Sequence, residues 1–282
     1  MSSAVLASLY APLVRLTGLH NPRKAARNFR FLVDRDRTRL FIACMPKTGS
    51  TYSSRLLESL TGFRSYGLAF AYGRNEQEIS WPRLMPSLRR DALFVQQHVR
   101  ASQVTLEALD IFRVTTIVQI RNIFDIIMSL RDHLACGEFD GSMAYVDARF
   151  LRQSHDEQLD FIIDLMIPWY VNFFVSWSEA ESTMGVRLFW LRYEELTGAP
   201  VAVLTRLCDH VGLDPDRLRI EVALAEAAAK PTRFNRGIAG RGASGLSEAQ
   251  KNRVRAQAAH YPWVDFTPIG LGTEELRRPP PN

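Results

Sequence analysis

The stretch Leu40-Phe-Ile-Ala-Cys-Met-Pro-Lys-Thr-Gly-Ser-Thr-Tyr52 joins a continuous apolar run to a short polar segment. Such an apolar run is typical of a strand that is buried on both faces of a parallel sheet. Gly49 and the free backbone N–H groups of the helix that should follow favour the binding of an anion. Lys47 precedes the glycine, however, whereas the lysine follows it in the loop that binds nucleoside triphosphates. Taken alone, these residues also fit a tight turn with a solvated lysine.

The rest of the chain alternates strand-like and helix-like segments. Apolar or β-branched segments are predicted strands at 40–46, 92–98, 114–120 and 186–192. Amphipathic or capped segments are predicted helices at 50–61, from Asn122, at 156–183 with a break at Pro168, at 200–212, and from Ser247. Strands separated by helices imply an α/β fold with a P-loop-like central parallel sheet that helices flank on both faces.

Length and composition describe a globular protein with an ordinary core. The chain has 282 residues, of which 46% are hydrophobic and 23% are charged. Because no linker separates two units, we expect a single domain over 1–282, with a core at about 38–260, an N-terminal helical extension 1–37 and a C-terminal tail 261–282. The formal net charge of +5 favours an anionic ligand or surface. No basic run interleaved with aromatic residues points to nucleic acid.

The cysteines and the N-terminal residues give no indication of secretion. Cys44, Cys136 and Cys208 are odd in number and far apart, which is typical of free thiols in a reducing compartment. The apolar start of the chain lacks a basic n-region and is interrupted by Pro12 and Arg15, so it is a poor signal peptide and too short for a membrane span. We expect a cytoplasmic protein whose first segment is a helix covering the core, with interfacial membrane contact as the alternative.

A second group of polar residues follows the third predicted strand. Arg121 stands where that strand should end, Asn122 is predicted to cap the next helix, and Asp125 lies in its first turn. Ser129 is about two turns into the same helix. A guanidinium at the strand end and a hydroxyl on the next helix could hold one phosphate together, in the crevice where α/β sheets bind ligands. Each residue alone also fits an ion pair or a solvated helical position.

These two segments resemble motifs of the sulfotransferases that use 3′-phosphoadenosine 5′-phosphosulfate (PAPS). Pro46-Lys-Thr-Gly-Ser-Thr51 is similar to the family's 5′-phosphosulfate loop. Arg121-Asn-Ile-Phe-Asp125, followed by Ser129 and His133, resembles its 3′-phosphate motif, Arg-Asn-Pro-x-Asp-x-x-x-Ser-x-x-x-His. Ile123 replaces the usual proline at the first turn of the helix. The resemblance therefore implies the sulfotransferase fold and a PAPS site.

The resemblance also implies roles for single residues. Tyr193-Glu-Glu-Leu-Thr-Gly-Ala-Pro200, ending at Val211-Gly-Leu213, is similar to the family's Tyr-Glu-Asp-Leu…Pro…Leu-Gly segment, so that the resemblance covers about 38–260. The implied cofactor-binding residues are Lys47 at the transferring sulfuryl group and the leaving phosphate, Thr48, Gly49, Ser50 and Thr51 at the 5′-phosphate, Tyr52 (where the family usually has tryptophan) and Tyr193 at the adenine, and Arg121 and Ser129 at the 3′-phosphate.

A glycine-rich stretch near the C-terminus completes the resemblance. Arg233-Phe-Asn-Arg-Gly-Ile-Ala-Gly-Arg241 is similar to the family's Arg-Lys-Gly-x-x-Gly loop, which closes over the 3′-phosphate. Asn235 occupies the usual arginine position, so Arg236, followed by Gly237, is the candidate for the phosphate contact. The arginines at either end of the stretch are the alternatives. Gly242 stands where an aromatic residue is common in the family.

His98 ends the second predicted strand, between the two phosphate motifs. Many members of the family carry a catalytic histidine at this place. An acceptor hydroxyl must lose its proton as it attacks sulfur, and an imidazole that is neutral near pH 7 suits this task. The alternatives are a histidine satisfied in the core, or a glutamate elsewhere as the base.

The resemblance thus implies in-line transfer of a sulfuryl group from PAPS to a hydroxyl of a carbohydrate, lipid, or small alcohol or phenol. His98 would be the general base, and Lys47 would stabilise the leaving phosphate of 3′-phosphoadenosine 5′-phosphate (PAP). No metal is expected, because the sequence lacks a ligand cluster and the Mg²⁺-binding hydroxyl of kinase loops. The alternatives are a P-loop nucleotide kinase, a non-catalytic PAP-binding module and a basic nucleic-acid binder. The loops 62–90 and 136–150 are candidate walls of an acceptor pocket.

Overall fold

The computed structural model describes residues 32–69, 78–139, 143–214, 216–229 and 240–272. In these ranges the strands form a parallel sheet in the order β2-β3-β1-β4-β5. The strands are β1 (Arg39–Cys44), β2 (Arg64–Tyr66), β3 (Ala92–Gln97), β4 (Thr115–Ile120) and β5 (Leu188–Arg192). The predicted α/β fold with a central parallel sheet is confirmed.

One edge strand, β2, was not predicted. It has three residues, Arg64–Tyr66, and pairs with the start of β3. A strand this short shows no alternation of polar and apolar side chains, and its first side chain is exposed, so the sequence carries no strand pattern there.

Helices connect and cover the strands. They are α1 (Ser50–Thr61), α2 (Trp81–Leu84), α3 (Gln103–Ile111), α4 (Ile123–Ala135), α5 (His155–Leu165), α6 (Ile167–Ser182), α7 (Tyr193–Gly198), α8 (Pro200–Val211), α9 (Arg217–Ala229), α10 (Arg241–Gly245) and α11 (Glu248–Ala258). Short 3₁₀ turns lie at Met85–Ser87, Phe150–Arg152 and Thr267–Ile269.

Local sequence rules explain several helix ends. Gly62 ends α1 in the left-handed conformation, with φ of 66°. Pro168 lies in the first turn of α6, so the predicted long helical region is indeed two helices, which meet at Met166. Ser247 and Gln250 form the predicted capping box at the start of α11.

The core lies on both faces of the sheet. All six residues of β1 are buried, and their side chains alternate between two apolar clusters. Helices α3, α4, α5 and α6 cover one face, while α1, α8 and α9 cover the other. The helices that follow β1 and β4 therefore leave the sheet on opposite faces. In α/β folds, the crevice at the carboxyl ends of such strands is where ligands bind.

The apolar stretch His155–Ser182 belongs to this core. By length and composition it is the kind of segment that can cross a membrane, but 56% of its most apolar window is buried inside the protein. Tyr170, Phe173 and Trp177 of α6 are fully buried. These aromatic residues therefore belong to the core.

Arg39 fixes the amino-terminal edge of the sheet. Its guanidinium is buried and donates hydrogen bonds to the main-chain oxygens of Asp34, Arg37, Ser87 and Leu88, at 2.7 to 3.1 Å. Burial lowers the pKa of Arg39. The carbonyl oxygens nevertheless satisfy the buried charge and tie the segments before β1 and β3 together.

Candidate functional site

The loop between β1 and α1 has an unusual backbone. Lys47 and Gly49 both have positive φ angles, 65° and 78°. Thr48 between them is fully buried, and its hydroxyl donates a hydrogen bond to the main-chain oxygen of Met45 at 2.7 Å. A Cβ atom at Gly49 would lie 3.1 Å from the ring of Tyr193 in addition to straining the backbone. The positive φ and the nearby Tyr193 ring therefore both favour glycine at this position.

Strand β4 holds this loop from the neighbouring position in the sheet. Gln119 Nε2 donates to the main-chain oxygen of Thr48 at 2.7 Å, and Arg121 Nη1 donates to that of Lys47 at 3.2 Å. The sequence motifs do not reveal Gln119. A glutamine within the β-branched run 114–120 is the only indication there, because an amide in a buried strand needs a specific partner.

At the N-terminus of α1, no side chain offsets the positive end of the helix dipole. No side chain caps it, and its first turn contains no acidic residue. In contrast, Asn122 caps α4 by accepting hydrogen bonds from the N–H groups of Phe124 and Asp125, and Asp125 lies in that first turn. The positive end of the α1 dipole therefore lies at the loop that contains Lys47, with no capping side chain and no acidic residue to offset it, an arrangement that suits an anion.

The hydroxyl residues of α1 differ in their surroundings. Ser50 is buried, while Thr51 and Tyr52 are half-buried. Thr51 Oγ1 accepts a hydrogen bond from Gln96 Nε2 of β3 at 3.1 Å, which ties this end of α1 to the next strand. Burial raises the pKa of Tyr52. The predicted phosphate-loop residues are thus contiguous and are held from both neighbouring strands.

Arg121 and Tyr193 meet at the ends of β4 and β5. The Arg121 guanidinium lies 4.2 Å from the centre of the Tyr193 ring, and both residues are almost fully buried. Nη2 of Arg121 lies 3.9 Å from Oδ2 of Asp125. Burial raises the pKa of Tyr193, while the charge of Arg121 opposes that shift. A cation stacked on an aromatic ring therefore lies beside the loop.

Ser129 lies on the same helix as Asp125. It is buried and four residues further along α4, so the two residues share one face of the helix. Arg121, at the end of β4, contacts the side chain of Asp125 on that face. The two residues predicted to hold one phosphate are thus placed on the same side of α4.

His98 follows β3 and reaches across to β1. Its Nδ1 atom lies 3.0 Å from the main-chain oxygen of Cys44 and 3.5 Å from the Cys44 sulfur. Because a carbonyl oxygen only accepts hydrogen bonds, Nδ1 carries the hydrogen and the neutral ring keeps its lone pair on Nε2. Burial lowers the pKa of His98, and it raises the pKa of the Cys44 thiol to about 12. The neutral imidazole therefore lies against Cys44, the last residue of β1.

The glycine-rich C-terminal stretch is only partly described. Arg233, Arg236 and Gly237 lie outside the described residues. Arg241, one of the alternatives for the phosphate contact, pairs with Asp132 of α4 at 2.8 Å. A Cβ atom at Gly242 would lie 2.3 Å from the main chain of Phe124. The place where the family often has an aromatic residue therefore has no room for any side chain here.

Possible metal ligands and cavities also bear on the site. Among the residues that the structure describes, no group of three or more His, Cys, Asp or Glu side chains is arranged to hold a metal ion. A cavity of about 730 Å³ lies beside β5, and its walls include Phe174, Trp190, Arg192, Glu195 and Trp263. None of the described residues predicted to bind the nucleotide lines this cavity.

Comparison with known proteins gives matches at the level of structure. No family model matches the chain, and no curated protein matches its sequence. Mouse sulfotransferase SULT7A1, solved in complex with PAP, superposes with a TM-score of 0.59 and 11% identity, over 83% of this chain and 87% of that chain. Retinol dehydratase with androsterone and the inactive cofactor PAP gives a TM-score of 0.54 and 15% identity, over 83% of both chains. Retinol dehydratase with retinol and PAP gives 0.50 and 15%, over 84% of both. The chain therefore has the fold of the sulfotransferases.

Proposed function

We propose that this chain is a PAPS-dependent sulfotransferase that transfers a sulfuryl group to a hydroxyl group of an acceptor. The observation that carries the proposal is the uncapped N-terminus of α1, which faces a loop held by Arg121 and containing Lys47. Proteins that share this fold were solved with PAP. The acceptor is a carbohydrate, a lipid, or a small alcohol or phenol, and the domain spans 1–282 of a cytoplasmic protein.

Two groups of N–H donors and positive charges are assigned to the 5′-phosphate and the 3′-phosphate of the nucleotide. PAPS supplies an activated sulfuryl group on its 5′-phosphate. The N–H groups of Thr48 to Thr51 and the charge of Lys47 bind that phosphate and the negative charge that develops as the sulfuryl group leaves. Arg121 and Ser129 bind the 3′-phosphate, with Arg236 and Gly237 as further contacts. Tyr52 and Tyr193 contact the adenine.

The acceptor is activated from the other side of the loop. His98 Nε2 takes the hydroxyl proton as the oxygen attacks sulfur, because the Cys44 main-chain oxygen keeps the hydrogen on Nδ1. The resulting imidazolium keeps its hydrogen bond to that oxygen. Lys47 and His98 thus act at opposite ends of an in-line displacement, through position and charge.

The position of Lys47 separates this proposal from a nucleotide kinase. In a kinase loop, the hydroxyl that follows the Gly-Lys pair binds Mg²⁺. Here the lysine comes first, so nothing in the loop supplies that arrangement. A non-catalytic module that binds PAP would share the nucleotide contacts but would need no base at His98.

Calorimetric titration tests the nucleotide assignment. The wild type, Lys47→Ala and Arg121→Ala are titrated with PAP and with ATP plus Mg²⁺. We expect the wild type to prefer PAP, and each substitution to weaken PAP binding by about tenfold or more, because each removes a charged contact to phosphate. A preference for ATP with Mg²⁺, or PAP binding that is indifferent to both substitutions, would overturn the assignment.

A further inference from the structure

Asp125 makes contacts that the sequence motifs do not predict. Its Oδ2 accepts a hydrogen bond from the N–H of Gly240 at 2.7 Å, and its Oδ1 accepts one from the N–H of Gly242 at 2.8 Å. The residue is 3% exposed, and Oδ2 also lies 3.9 Å from Nη2 of Arg121. One buried carboxylate therefore joins the end of β4, the first turn of α4 and the start of α10.

Gly240, which precedes α10, and Gly242 within it make this close contact possible. Gly240 has a φ of 86°, which favours glycine, and its N–H points to the carboxylate. Any side chain at Gly242 would collide with Phe124 of α4. Hydrogen bonds from amides to an ionised, buried carboxylate are about twice as strong as neutral ones. The start of α10 is thus fixed on α4 by the hydrogen bonds to Asp125, and glycine at positions 240 and 242 allows the close approach.

These contacts leave the carboxylate without a direct role at an anion. The N–H groups of Gly240 and Gly242 are committed to Asp125, so they do not bind a phosphate. A carboxylate beside a phosphate would also repel it. Any effect of Asp125 on a nucleotide must therefore act through the groups it holds.

We propose that Asp125 is a positioning residue for recognition of the 3′-phosphate. Its two hydrogen bonds hold the segment that begins at Gly240 on α4, and its charge lies 3.9 Å from the guanidinium of Arg121, on the helix that also carries Ser129. This inference rests on the proposed function, because it needs a nucleotide whose 3′-phosphate binds at Arg121. Substitution of Asp125 can then change PAP affinity in either of two directions. Loss of positioning weakens PAP binding, whereas simple removal of a negative charge near Arg121 would strengthen it.

The test compares two nucleotides that differ in the 3′-phosphate. Wild type, Asp125→Asn and Asp160→Asn are titrated with PAP and with adenosine 5′-monophosphate (AMP). Asp160 is the control, since it is a carboxylate that also joins two helices, α5 and α11, but none of its contacts in the described part of the chain is to a residue of the phosphate motifs. We expect Asp125→Asn to weaken PAP binding by about tenfold or more and AMP binding by less than about twofold, because hydrogen bonds to a charged group are lost only around the 3′-phosphate. Asp160→Asn should leave the ratio of the two affinities unchanged.

The outcomes separate this inference from the proposed function. An unchanged PAP-to-AMP ratio in Asp125→Asn, or tighter PAP binding, would overturn the positioning role while leaving the nucleotide site in place. A wild type that binds PAP no more tightly than AMP would refute the 3′-phosphate site itself. If Asp125→Asn does not fold, Gly242→Ala separates α10 from α4 from the other side and must give the same selective loss of PAP affinity.

Discussion

At the scale of single residues, the proposed proton transfer depends on the tautomer of His98. The main-chain oxygen of Cys44 holds the hydrogen on Nδ1, and burial keeps the ring neutral by lowering its pKa. The sequence places His98 at a strand end, but it does not define the tautomer. That property depends on an oxygen of the neighbouring strand, which only the register of the sheet brings within 3.0 Å.

The first prediction at this scale concerns pH. We expect the acid limb of the pH–rate profile for sulfuryl transfer to lie below pH 6.5, the ordinary pKa of histidine. A base with a lowered pKa stays neutral further into acid, so activity is kept as the pH falls from 7 and is lost only as the pH passes through the lowered pKa. Measurement of kcat/KM against pH gives the limb. A limb at or above 6.5 would contradict the role of His98.

The second prediction concerns the removal of His98. His98→Ala should lower the single-turnover rate of transfer by about 10²- to 10⁴-fold, the usual contribution of a general base. PAP affinity should not change, because the imidazole acts on the acceptor side of the loop. The measurement is rapid-quench single turnover with labelled PAPS and an acceptor found by screening hydroxyl compounds. Near-normal rates would favour a glutamate base.

At the scale of elements, the contact between α4 and α10 depends on glycine. A Cβ atom at Gly242 would lie 2.3 Å from the main chain of Phe124, and one at Gly245 would lie 2.8 Å from the side chain of Met128. From sequence alone, a glycine-rich segment near a phosphate motif suggests a loop whose backbone binds phosphate. Here the described glycines allow close packing instead. To distinguish these two roles of the glycines, the position of α4 must be known, and α4 is distant from them in the sequence.

We therefore predict that Gly242→Ala destabilises the protein. The free energy of unfolding should fall by about 1–3 kcal/mol, as is usual for overpacking, because the rigid main chain of Phe124 cannot move aside cheaply. Gly198→Ala is the control, since a Cβ atom there meets nothing within 4 Å. Urea denaturation measures both variants. Equal stability of the two would show that α10 does not pack on α4 as described.

A buried arginine gives a second prediction for the elements. Arg39→Met should lower the free energy of unfolding by about 3 kcal/mol or more, because four main-chain oxygens lose their donor at once. Arg37→Met is the control, because the side chain of Arg37 is 47% exposed and its ion pairs are worth little. The measurement is urea denaturation of both variants. A loss for Arg39→Met no greater than that for Arg37→Met would contradict this role.

At the scale of the whole molecule, the sequence predicts more of the fold than of the site. Apolar runs, caps and proline positions predict β1, β3, β4, β5 and most of the long helices, because these are local properties. The edge strand β2 is too short for a periodic pattern. In the proposed site, both phosphate motifs are local, so their residues could be proposed from the sequence alone. Gln119 contacts the loop from the neighbouring strand, and Asp125 contacts Gly240 and Gly242, which are distant in sequence. Local patterns do not reveal such contacts.

The most direct test of the central claim compares transfer from two donors. The wild type is incubated with an acceptor mixture and either PAPS labelled in the sulfuryl group or ATP labelled in the γ-phosphate, each with Mg²⁺ and with EDTA. We predict that label moves from PAPS only, at the same rate in EDTA, because Lys47 and the N–H groups of α1 supply the positive charge. Transfer of label from ATP, or a requirement for Mg²⁺, would contradict this account.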